Sequence, residues 1–239
     1  MLTKRVMQRF LNLHFVPRRR LFHANTKMLS KCDRARQTMK WIDSIVIGQK
    51  LCPFARKSTL RIKVSNAISY AEILREVESE VHDLVGTKNL NANSASSRIG
   101  NNSNSEQSAI PDMTPETTLI VLNEKRCPSL KDFRELVRLS WRVQEEVINE
   151  HSYTPLLQQV IFHPLATHDT YGRSHDDDAA DYTIRSPFPT IHLLREVDVM
   201  KAVTSGYKDL ESLPSRNKAK MRMDGVALCK RRLEDCKDV

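Results

Sequence analysis

The chain contains no apolar run that approaches the roughly 20 residues needed to span a bilayer, so no membrane anchor is read from it. Neither GxGxxG nor GxxxxGK[ST] occurs, and Rossmann or P-loop nucleotide binding is left without a motif. Aromatic residues make up 6% of the sequence and are not interleaved with a basic patch, which argues against single-stranded nucleic acid as a partner. The five cysteines, Cys32, Cys52, Cys127, Cys229 and Cys236, are an odd number with no CxxC spacing. That pattern fits neither a disulfide framework nor a zinc ribbon, and reduced thiols of a matrix or cytosol are the default reading.

Acid is missing from the first 32 residues, which carry eight Lys or Arg side chains. Removing those eight from the total of 38 leaves 30 basic against 29 acidic residues, so the formal charge of +9 is concentrated at the N-terminus and the remainder is nearly neutral. A basic, acid-free stretch with interspersed Leu, Val and Phe is what an organelle transit peptide requires, and Pro17 would end its helix before the Arg18 to Arg20 run. Residues 1–31 are therefore read as a transit peptide, with the mitochondrial matrix as destination, or as a basic tail on a cytoplasmic protein. Residues 32–239 are read as one globular domain, since 40% hydrophobic and 28% charged residues are ordinary for such a chain.

Within that domain, residues 32–48 place Met39, Ile42, Ile45 and Val46 at helical spacing, with Gly48 as a stop. A strand follows at 61–67. A helix comes next, with Ile73, Leu74, Val77, Val81 and Leu84 on one stripe, Ser69 as cap and Gly86 as terminator. Residues 87–115 are dominated by Asn and Ser and read as a disordered polar insertion. "TTLIVLN" at 117–123 is a buried strand, and Ser129 can cap the helix that follows. Further strands are read at 157–164 and 190–197, then closing helices. This order implies an α/β (α+β) sandwich: a single mixed sheet of about four strands with helices mainly on one face. The last two strands would be antiparallel neighbours.

Alternation assigns Gln159, Ile161 and His163 to the same face as Thr190, His192, Leu194 and Glu196. Pro187 and Pro189 stiffen the entry to the last strand and fix Arg185 and Ser186 beside it. The connection before it is far longer than a hairpin needs and holds His168, His175, Asp176, Asp177, Asp178 and Asp181. His163 and His192 are candidate acid–base groups, Arg185 and Arg195 suit a carboxylate or phosphate, and Cys52 is a candidate nucleophile. Ser186 and Glu196 complete the candidate substrate wall. For Cys52 a buried packing role competes, and for Arg195 an ion pair does. A rival metal site would draw on His163, His168, His175, His192, Asp176 and Asp178, although their spacings match no metal motif.

"KLCPFARK", "ETTLIVL", "FHP", "YTIRSPFPTIHLLREV" and "LPSRN" together resemble the domain-of-unknown-function family fourteen-fifteen, found largely in bacteria. The resemblance spans roughly residues 39–220. Asp181 and Ile184 stand where that family's pattern has Asn. It implies the domain boundaries and motif positions, and brings neither an activity nor a cofactor.

Three function classes follow: an enzyme on a small anionic molecule, a metal-dependent hydrolase or oxygenase, and a non-catalytic binding or assembly factor. The first requires both imidazoles, His163 and His192, on one sheet face with Arg185 beside them. Rings on opposite faces remove that shared site.

Overall fold

The computed structural model describes residues 29–96, 117–168, 177–204 and 210–238. Residues 1–28 of the expected leader and most of the expected polar insertion lie outside the described residues, whereas Ser30 and Lys31, at the leader's expected end, belong to the first helix.

The first helix, α1 (Lys31–Trp41), begins with a reciprocal cap. The Asp33 N–H donates to the Ser30 hydroxyl at 3.1 Å, and the Ser30 N–H donates to the Asp33 carboxylate at 3.2 Å. It runs on as a π-helical turn, Ile42–Ile47, and ends at Gly48. A Cβ at Gly48 would lie 2.6 Å from the Ser44 carbonyl oxygen, so the glycine lets the backbone pass under the turn toward Leu51.

Strand β1 (Leu60–Val64) leads to α2 (Tyr70–Ser96), where Ser69 caps as expected by accepting from the Glu72 N–H at 3.3 Å. The stripe of Ile73, Leu74, Val77, Val81 and Leu84 is buried throughout. Gly86 does not terminate this helix, which continues to Ser96. One helical glycine costs only about 1 kcal/mol relative to alanine, too little to stop a helix that has no proline beyond it.

After β2 (Thr117–Val121), residues Pro128–Lys131 form a 3₁₀ turn that contains Ser129, and Asp132 takes the capping role expected of that serine. Its carboxylate accepts from the Arg134 N–H at 2.9 Å and starts α3 (Phe133–Val143), which continues as a π-helical turn, Gln144–Asn149. Strand β3 (Leu157–Phe162), a 3₁₀ segment (Ala179–Thr183), β4 (Thr190–Arg195) and α4 (Glu196–Thr204) follow. The closing region is two helices, α5 (Leu213–Asp224) and α6 (Val226–Asp235), separated at Gly225, whose φ of 79° needs glycine.

These elements make one mixed four-stranded sheet in the order β1-β2-β4-β3, an α+β sandwich. β1 and β2 are parallel, and β4 lies antiparallel between β2 and β3, so the three strands joined by helical crossovers all run one way. Helices cover both faces, which corrects the expectation of mainly one. On one face α2 and α3 pack on Ile120, Leu122, Ile191 and Leu193. On the other α1, α5 and α6 pack on Ile62, Leu119 and Phe162. The C-terminal contribution was hard to read because Met221, Cys229, Leu233 and Cys236 are scattered among Lys and Arg. Along the outer strand, Arg61 and Lys63 of β1 reach the buried Glu80 of α2 at 3.5 and 3.2 Å. No helix among the described residues is long and apolar enough to cross a membrane.

The two glycines predict opposite responses. Gly86→Ala meets open space in mid-helix and is expected to stabilise by about 0.5–1 kcal/mol, whereas Gly48→Ala forces a backbone shift and lowers stability. Urea unfolding of both variants is the check, and an equal response of the two would contradict this account.

Candidate functional site

Where β1, β2 and β3 end, the interior changes character, with Ser65, Asn123, His163, Ser186 and Thr190 all buried. The Pro189 carbonyl accepts from the Leu122 N–H at 2.8 Å and ties the proline lead-in to β2. The hydroxyls of Ser186 and Thr190 both donate to the Phe188 carbonyl, at 2.6 and 2.9 Å. The Phe188 ring is covered by the Arg34 guanidinium, 4.5 Å from its centroid. Arg34, only 1% exposed, donates to both carboxylate oxygens of Glu124, at 3.0 and 3.3 Å. Sequence reasoning missed this buried pair, because Arg34 lies in a helical stretch that reads as polar surface.

The connection between β3 and β4 is held by its own charged side chains. The His168 N–H donates to Asp181 at 2.7 Å, and the His168 Nε2 pairs with the Thr183 hydroxyl at 2.9 Å. Burial, with Lys218 adding to it, pushes the His168 imidazole down to about 4, and burial pushes the Asp181 carboxyl up. Arg185 donates through Nε to the Ala166 carbonyl at 3.0 Å, pairs with Asp177 at 3.2 Å and Asp181 at 3.6 Å, and stacks on Tyr182 at 4.6 Å. Asp178 caps the 3₁₀ segment through the Ala180 N–H and takes a two-point contact from Arg222 of α5, at 3.1 and 2.7 Å. The Arg222 hydrogen bonds hold its carboxyl down to about 2. Asn217, in the "LPSRN" stretch, donates to the Leu51 carbonyl at 2.7 Å. Segments far apart in sequence thus meet around α5, a convergence that the quoted motifs signal but Arg222 alone does not.

The expected pairing of the two imidazoles is overturned. Val160 pairs with His192 across β3 and β4, so His192 shares the face of Phe162, not that of His163. The His192 ring sits 6.2 Å from Phe162 and pairs through Nε2 with the Thr117 hydroxyl, which itself donates to the Leu193 carbonyl at 2.7 Å. His163 lies on the other side, 5.7 Å from the Phe133 ring. Its Nδ1 accepts from the Leu165 N–H at 2.9 Å, which obliges Nε2–H to donate to the Leu130 carbonyl at 2.9 Å. Burial lowers its affinity for a proton further. Both nitrogens are committed to holding the turn after β3.

The other candidates also separate. Burial pushes the Cys52 thiol up, the opposite of what a reactive thiolate requires. Arg195 pairs with Asp198 at 2.5 Å, and Glu196, which begins α4 instead of extending the strand, accepts from Gln158. Ser186 is fully buried in the lead-in. Of the rival metal set, His175 and Asp176 lie outside the described residues. Among the described residues, His163, His168, Asp178 and His192 do not come together as a ligand group.

Arg185 does reach a small crevice between α1, the 3₁₀ segment, α5 and α6, with Gln49, Tyr182, Met221, Cys229 and Arg232 among its other walls. With that geometry described, the chain can be placed by comparison. Residues 33–96 and 101–231 match the family model described as Protein of unknown function (DUF1415), and the chain belongs to that family. No curated protein and no solved structure matches it.

The half-buried His192 predicts acid sensitivity. Burial pushes His192 down to about 4, so below its unfolded value of about 6.5 the folded chain binds fewer protons than the unfolded one. The stabilisation is complete above about pH 6.5 and is lost as the pH falls toward 4, by up to about 3 kcal/mol. His192→Phe leaves Thr117 its bond to Leu193, and its urea midpoint should drop less between pH 7 and pH 5 than that of the wild type. An equal drop would contradict the assignment.

Proposed function

We propose that the chain is a binding protein for an anionic small molecule, with the crevice beside Arg185 as its site and its histidines in structural roles. The observation that carries this reading is that Arg185 and Arg232 both line one crevice with a largely apolar wall; its volume is only about 10 Å³, so a ligand must widen it on entry. Two guanidinium groups beside Met221, Leu233 and Tyr182 suit a ligand with a carboxylate or phosphate on an apolar body. Arg185 is oriented by Ala166, Asp177 and Asp181, and Arg232 by Asp224 at 2.5 Å, so both heads are held in place before a ligand arrives. Binding is favoured over catalysis because both nitrogens of His163 are engaged, His192 faces the other side of the sheet, and Cys52 is shifted away from the thiolate.

A thermal-shift screen of small carboxylates and phosphate esters tests this. The expected result is a ligand that raises the melting temperature of the wild type but not of Arg232→Ala, whose own melting temperature changes little because the residue is partly exposed. Absence of any stabilising anion, or the same shift in Arg232→Ala, would overturn the reading.

The acid-free N-terminus further supports a mitochondrial matrix location, with a transit peptide ahead of the folded region that starts at the Ser30 cap. N-terminal sequencing of the protein from fractionated cells should then find a chain that starts near Phe22 or somewhat later. An intact chain beginning at Met1 in the cytosolic fraction would count against it.

A further inference from the structure

On the face opposite α5, one turn of α2 and the end of the helical segment after α3 bring together three side chains that the preceding account leaves unused. The Glu78 carboxylate, His82 and His151 each offer one ligand atom, all within 4.8 Å of one another. Glu78 Oε1 is 3.2 Å from His151 Nε2 and 3.9 Å from His82 Nε2. We propose that these three residues bind a divalent transition-metal ion, with zinc the best fit, and thereby clamp α2 to the turn that leads into β3.

The bare nitrogen of His151 points into the cluster. The His151 Nδ1 lies 3.0 Å from the Val147 carbonyl, and since a carbonyl only accepts, Nδ1 carries the hydrogen. In the neutral ring Nε2 is then the bare nitrogen, and it faces a carboxylate oxygen at 3.2 Å. Two acceptors at that distance require a cation between them, either a proton on the ring or a metal ion. His82 is held less strictly: its Nδ1 pairs with the Tyr153 hydroxyl at 3.0 Å, and in the tautomer where Nδ1 donates to that oxygen the bare Nε2 is turned to the same carboxylate. A metal-bound histidine typically has its second nitrogen hydrogen-bonded to a carbonyl or another polar group, which sets the tautomer and aims the ligand.

The scaffold is stiff where it needs to be. Glu78 and His82 are one turn apart on α2, and Val77 and Val81 beside them have no exposed surface. His151 follows the π-helical turn, whose Val147 and Ile148 are buried. Ser152, at φ 58°, turns the chain so that the Tyr153 ring stacks on His151 with centroids 5.7 Å apart. Zinc bonds of about 2.0–2.1 Å in a tetrahedron set ligand atoms roughly 3.3 Å apart. The 3.2 Å separation already fits, the 3.9 Å one does not, and with all three atoms inside 4.8 Å of one another the half-exposed His82 has to rotate inward to complete the set. Two histidines and one carboxylate leave a fourth position for water, and nitrogen with oxygen donors suits zinc above magnesium or calcium. The clamp shares no residue with the crevice beside Arg185, so either assignment can fail without the other.

The test uses the full chain, stripped with a chelator and then titrated with zinc, and separately with cobalt(II) as a spectroscopic probe. One equivalent should bind. The cobalt spectrum should show visible bands of tetrahedral nitrogen and oxygen coordination without thiolate charge transfer, and zinc should raise the melting temperature. His82→Ala and His151→Ala, both at partly exposed positions and so expected to fold, should lose the binding and the shift. Tyr153→Phe removes only the partner of the His82 Nδ1 and should weaken affinity by about tenfold. Binding that is unchanged in the two histidine variants, or a thiolate signature in the cobalt spectrum, would overturn the site. Failure to bind zinc would also overturn it and leave a proton as the cation between His151 and Glu78.

Discussion

The insertion of β4 between β2 and β3 is the constraint on which the rest of the molecule depends. β4 is the last strand in the chain and occupies a central place in the sheet. Without it β3 has no partner and the parallel pair β1–β2 has an open edge along β2. Because β3 and β4 are antiparallel, a short turn would suffice to join them, yet the chain spends residues 163–189 on the journey. Those residues must enter the sheet with a defined register, and the proline lead-in, the Phe188 carbonyl shared by two hydroxyls and the Arg34 stack supply it. The charged network of His168, Asp178, Asp181 and Arg185 then ties residues 177–185 to one another and, through Asp178, to Arg222 of α5. In this view the ionisable side chains near β4 serve first to specify one pairing among several that an apolar strand accepts.

Much of this was legible from residues alone. Strand and helix positions followed from periodicity, and the two crossovers correctly implied a partly parallel sheet. The phase of the strands was not legible, and the reason is physical. Helices bury both faces, so Val160, Ile161 and Phe162 are all apolar and alternation does not distinguish one side from the other. Register across an antiparallel pair is set by the connecting turn, and a long connection leaves it undetermined by local sequence. A slip of one residue exchanges every side chain between faces, which is what separated His163 from His192.

The site was legible in outline only. Arg185 was singled out, and it does border a crevice, but Arg232, which lines the same crevice, lies in a Lys/Arg-rich helix where no spacing distinguishes it from solvated neighbours. Burial hides in the same way. Arg34 and Glu80 carry full charges in polar stretches, and only their tertiary partners, Glu124 for one and Arg61 with Lys63 for the other, account for their positions in the interior. Histidine was the reverse case. His163 drew attention as a chemical group, whereas its two hydrogen bonds make it a brace between the end of β3 and the turn before α3.

The two ends of the folded region meet. Gln37 of α1 donates to the Lys237 carbonyl at 2.7 Å, and Trp41, Ile42 and Ile45 pack in one cluster with Cys229, Leu233 and Cys236 of α6. During synthesis the first helix therefore emerges from the ribosome with its apolar side bare, and its cover is completed only when α6 has followed it. For all that time it is a surface that a chaperone can hold, and a nascent chain truncated before α6 would keep it exposed. The domain is thus closed by the burial of its first helix beneath its last.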